Sequence, residues 1–136
     1  ELKNIQNEFY GEFANDDETV NAIKSVYENY RYLMDPHTAV AYSVYEKLDN
    51  SNLDKNTHTV IMSTAHPFKF PAPIAKALGL DETKEPYAIL DEVSKITGVK
   101  FPEKLTEVRN SEIRFSNVID KAEIQDFVKK YINDLK

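Results

Sequence analysis

Apolar residues recur along most of this chain at three- and four-residue steps, the spacing of one face of an α-helix. Val20, Ile23, Tyr27 and Tyr30 form such a stripe, and Asn15 followed by Glu18 has capping-box spacing, so a helix is expected to run to about Tyr32. Asp35 as N-cap and Pro36 at the first helical position open a second helix, with Ala41, Val44, Tyr45 and Leu48 as its apolar face. The polar stretch 49–58 ends it. The pattern then changes: residues 59–63, TVIMS, are short, apolar and rich in β-branched side chains, which predicts one buried strand. Residues 67–79, PFKFPAPIAKALG, read as a turn entering a short helix stopped by Gly79. Pro86 opens a further helix to Thr97, closed by Gly98. A terminal helix is expected from Asp120 to about Leu135, opened by a capping box of Asp120 and Glu123. Its buried stripe would be Ile124, Phe127, Val128, Tyr131 and Leu135. Residues 113–118 predict a short extended piece, and no repeat or Gly/Ser linker divides residues 1–136 into domains.

Composition narrows the function classes. With 136 residues, 41% of them hydrophobic, the chain can build one core, and a net charge of −6 disfavours nucleic acid or an anionic membrane as partner. No apolar run reaches the roughly 20 residues of a membrane helix, and the first residues lack the layout of a secretion signal. The chain has no cysteine, which rules out a disulfide framework and allows a reducing compartment, and the cytoplasm is the default expectation. It begins at Glu1 with methionine only at Met34 and Met62, which predicts a piece of a longer protein.

Spacing alone yields little chemistry. The three histidines, His37, His58 and His66, are 21 and 8 residues apart and match no metal motif. With only Gly11, Gly79 and Gly98, the chain has no glycine-rich phosphate loop. Asp16, Asp17 and Glu18 suit a helix N-terminus better than a catalytic cluster. Two places stand out. Asp35, His37 and Thr38 gather at a helix start, either as plain capping or facing a ligand. Ser63, Thr64, His66 and Lys69 crowd the C-terminal end of the expected strand, where ligands sit in open α/β sheets. Strand-end hydroxyls also satisfy loose backbone groups, so both readings stand.

Residues 35–48, DPHTAVAYSVYEKL, and 63–79, STAHPFKFPAPIAKALG, resemble the two C-terminal signatures of the longer-chain threonine synthases. The segments NDDETVNAIKSVYENYRYLMDPHTAV and VIDKAEIQDFVKKYI resemble that family's preceding and terminal helices, so the likeness covers nearly the whole chain. One departure is Arg31, where the family pattern leads one to expect glycine.

The resemblance implies an α/β fold: the C-terminal part of the large, cofactor-binding domain of a tryptophan synthase β-like enzyme, helix-rich in isolation. It implies a pyridoxal-phosphate lyase of threonine biosynthesis that converts O-phospho-L-homoserine and water to L-threonine and phosphate. The lysine that carries the cofactor as a Schiff base is expected upstream, leaving no catalytic residue and no metal site in this chain. The cofactor-binding positions that match are Thr64, set on the pyridine nitrogen, and Ser63 beside it. Asp35, His37, Thr38, His66 and Lys69 are expected to support them from behind. Self-association is expected where the severed strand leaves apolar edges. An amino-acid dehydratase of the same fold and a non-catalytic helical interaction module are the alternatives.

Overall fold

A computed structural model describes residues 2–48 and 56–135 of the chain. Its helices, in chain order, are α1 (Leu2–Gln6), α2 (Asp16–Tyr30), α3 (Pro36–Lys47), α4 (Pro71–Leu78), α5 (Pro86–Thr97), α6 (Glu103–Arg109) and α7 (Ile124–Asp134). Single 3₁₀ turns at Pro67–Lys69 and Lys121–Glu123 precede α4 and α7. Among the described residues there is no strand, and no helix is long and apolar enough to cross a membrane.

Local chemistry sets the helix ends. The side chain of Asn15 accepts from the Glu18 amide at 2.9 Å while Glu18 accepts from the Asn15 amide at 2.8 Å, the reciprocal pair that the spacing predicted. Pro36 opens α3 behind its cap Asp35. Gly79 and Gly98 close α4 and α5 with φ of 71° and 73°, a left-handed turn that costs glycine no Cβ clash. Arg31 closes α2 in the same conformation, at φ 56°, with a Cβ that pays for it.

The core lies where α2 packs on α3 and α4, and α4 on α5. Ile23 and Val26 from α2, Ile74 and Ala75 from α4, and Ile89, Leu90 and Val93 from α5 are buried there, joined by Leu33, Met34, Ala39 and Phe68. Phe68 meets Phe101 edge-on with ring centroids 5.3 Å apart. Each fully buried Ile or Phe contributes about 1.5–3 kcal/mol of transfer free energy.

Several expectations are corrected. Residues 59–63 form no strand and are largely exposed, with Val60 at 77% and Met62 at 71%. A strand is stable only when neighbours take its backbone hydrogen bonds, and none of the described residues does so. The inward face of α3 is Thr38, Ala39 and Ser43 rather than Ala41, Val44, Tyr45 and Leu48. Small side chains at 39 and 43, one turn apart, let α3 sit close to α2, and the Ser43 hydroxyl reaches the Glu18 carbonyl at 3.5 Å. The stripe of α7 faces outward along its length, Asp120 makes no side-chain capping bond, and residues 113–118 are exposed coil. The polar stretch expected at 49–58 lies mostly outside the described residues.

Candidate functional site

The two polar segments singled out in the sequence meet at the N-terminus of α3. Asp35 is completely buried. Its Oδ1 accepts from the His37 amide at 2.9 Å and the Thr38 amide at 3.3 Å, and lies 3.3 Å from His37 Nδ1. The Thr38 hydroxyl donates a short bond to Asp35 Oδ2. Burial pushes the Asp35 carboxyl upward, yet the bonds from Thr38 and His37 together outweigh it and hold the group below its ordinary value. The buried carboxylate is thus ionised, at a helix end whose dipole favours negative charge.

Across 25 residues of sequence, Thr38 Oγ1 lies 3.3 Å from Ser63 Oγ, which joins α3 to the segment that follows residues 59–62. A second tie is aromatic: the His37 ring meets Phe70 edge-on at 5.0 Å. Asp35, His37, Thr38 and Ser63 are therefore brought together. Thr64, next to Ser63, is exposed and makes no hydrogen bond to the described residues.

His66 caps the Pro67–Lys69 turn, its Nδ1 accepting from the Phe68 amide at 3.2 Å, while its ring stands edge-on to Phe68 at 5.2 Å. Burial lowers the His66 pKa, the Lys69 charge lowers it further, and Asp35 opposes both. The ring is consequently neutral with its proton on Nε2. Lys69 is exposed at the rim of a cleft of about 390 Å³ between the turn, α5 and α6, lined by Phe68, Pro86, Tyr87, Leu90 and Leu105. It adds charge near His66 and takes no part in the Asp35 cluster. The sequence reading missed Phe70 as the partner of His37. Phe70 sits inside the second signature, but a contact 33 residues away leaves no mark on local spacing.

The geometry suits a hydroxyl-bearing ligand contact held from behind. Thr64 presents a neutral donor and acceptor to the outside, and a buried carboxylate anchors its neighbour. A ring nitrogen fits such a hydroxyl. The helical unit thus pins two distant polar segments together around one buried charge.

Comparison with known proteins gives that unit a family. The family model described as threonine synthase, C-terminal, matches residues 38–132, which takes in Thr38, Ser63, Thr64, His66 and Lys69. Threonine synthase of Schizosaccharomyces pombe is 36% identical over 77 residues, 57% of this chain and 15% of that protein. Threonine synthase of Saccharomyces cerevisiae is 30% identical over 118 residues, 82% of this chain and 23% of that protein. Threonine synthase-like 1 of Mus musculus is 37% identical over 84 residues, 62% of this chain and 11% of that protein. The chain belongs to the threonine synthase family and matches its C-terminal part. The matched segments span less than a quarter of the relatives' length.

Proposed function

We propose that residues 1–136 are the C-terminal segment of the catalytic domain of a threonine synthase, a cytoplasmic lyase converting O-phospho-L-homoserine and water to L-threonine and phosphate. The observation that carries this reading is the Thr38–Ser63 contact, which joins the two signature segments over the buried Asp35, while the Thr64 hydroxyl bonds to none of the described residues. Pyridoxal phosphate, when bound, supplies an electron sink for the substrate's carbon chain.

This chain's part is to hold the ring. Thr64 Oγ1 donates to the pyridine nitrogen and, being neutral, does not keep that nitrogen protonated as a carboxylate would. Ser63, Thr38 and Asp35 hold the segment that carries Thr64, and His37 is wedged by Phe70. His66 and Lys69 shape the turn behind it. The lysine that carries the cofactor belongs to the part of the protein outside these residues, so the isolated chain is expected to release no phosphate from O-phospho-L-homoserine.

The deciding experiment is Thr64→Ala in the full-length protein. Losing one hydrogen bond of about 0.5–1.5 kcal/mol, or more if the nitrogen is left buried without a partner, lowers turnover by roughly tenfold. Unchanged turnover and cofactor affinity would make Thr64 a plain loop hydroxyl. Absence of phosphate release by the wild-type protein would rule out the reaction.

A further inference from the structure

Ser63 and Thr64 are adjacent hydroxyls with different proton bookkeeping. Asp35, ionised, can only accept. Its Oδ2 takes the single hydroxyl proton of Thr38, and its Oδ1 takes the amides of His37 and Thr38. Thr38 then has no proton left for Ser63, 3.3 Å away, so the shared bond uses the Ser63 proton and points inward. Thr64 has no such partner among the described residues, and its proton remains available.

We propose that Asp35 is a positioning residue that acts through Thr38 on Ser63. It draws the Ser63 proton inward, pins the segment against α3, and leaves Thr64 as the hydroxyl that donates outward. This rests on the reading that Thr64 meets the cofactor's ring nitrogen. No covalent step is involved, and the effect is one of hydrogen-bond direction and geometry.

Asp35→Asn tests the direction without removing the cap, because asparagine caps helices as well as aspartate. Its amide nitrogen, standing where Oδ2 was, donates to Thr38 and reverses the chain. Thr38 then donates to Ser63, and the Ser63 proton competes with that of Thr64. In the full-length protein, stripped and titrated with pyridoxal phosphate while the cofactor's absorbance is followed, Asp35→Asn is expected to weaken binding about three- to tenfold. Thr38→Val, which cuts the chain, does the same, and Thr38→Ser, which keeps the hydroxyl, restores wild-type binding. The thermal midpoint of the cofactor-free protein moves little for Thr38→Ser and Asp35→Asn, which separates positioning from folding.

Wild-type affinity in both Asp35→Asn and Thr38→Val, with weakened binding in Thr64→Ala, overturns the relay and leaves the Thr64 reading standing. Wild-type affinity in Thr64→Ala overturns that reading and the relay with it. Failure of Thr38→Ser to restore binding also overturns the relay, since shape and not the hydroxyl would then matter. Should Asp35→Asn not fold, the Thr38 pair decides by the same criterion.

Discussion

The region spanning α2 to α5 and the terminal helix α7 carry comparable apolar patterns and end up in opposite states. In the first, Ile23, Ile74, Ile89 and Val93 are all but sealed from solvent. In the second, Ile124, Phe127, Val128, Tyr131 and Leu135 repeat at equally regular helical steps and are all exposed. Periodicity states which face of a helix gains from burial. Only a neighbour decides whether that gain is realised, and α2 packs on α3 and α4 while α4 packs on α5.

The largest effects should therefore separate the two regions. Phe68→Ala removes a buried ring that touches Phe101, and is expected to cost about 3–5 kcal/mol in urea unfolding of this chain. Phe127→Ala, on the exposed stripe of α7, should change stability by no more than about 0.5 kcal/mol. Equal losses at the two positions would mean that α7 is packed after all.

A smaller contrast concerns two aspartates that look alike as helix caps. Asp35 accepts two backbone amides in a fully buried setting, and Asp120 makes no side-chain capping bond. Asp35→Ala is expected to lose about 1–3 kcal/mol, and Asp120→Ala less than about 0.5 kcal/mol. A comparable loss for Asp120→Ala in the same unfolding series would show that both ends of the chain are capped alike.

What could be read from the sequence follows from how far each signal reaches. The capping box at Asn15 and Glu18, Pro36 behind Asp35, and the glycine stops at 79 and 98 are local, involving residues within one turn, and they appear as expected. The meeting of Thr38 with Ser63 bridges 25 residues, and no local spacing announces it. The exposure of residues 59–63 was not legible, because burial depends on strand partners that TVIMS does not name. The inward face of α3 was misread for a related reason: Ala39 and Ser43 gain little by transfer from water, yet their small size sets the approach to α2.

Arg31 sharpens the comparison from within the packed region. Its left-handed φ of 56° carries a Cβ penalty of about 1–2 kcal/mol, in a conformation that glycine adopts without that cost. The guanidinium lies over the Tyr27 ring at 5.6 Å, an exposed contact that returns about 0.5–1 kcal/mol. Arg31→Gly is thus expected to stabilise the chain by about 0.5–1 kcal/mol, and a lower urea midpoint for the variant would show that the Tyr27 contact outweighs the strain.

The smallest expected effect is a pH dependence confined to the packed region. Burial and the Lys69 charge hold the His66 pKa below its ordinary value, so the unfolded chain takes up a proton at His66 before the folded one does. The stabilisation is complete above about pH 6.5, the ordinary histidine value, and is lost as the pH falls through the lower folded value. Asp35, also lowered, acts in the same direction but only below about pH 4, the ordinary aspartate range. His66→Asn isolates the histidine, because the asparagine oxygen can take the place of Nδ1 as acceptor for the Phe68 amide while carrying no titrating group. Between about pH 7 and pH 5 the thermal midpoint of the wild-type chain should fall more steeply than that of His66→Asn. Parallel curves would mean that His66 is as easily protonated in the folded turn as in the unfolded chain.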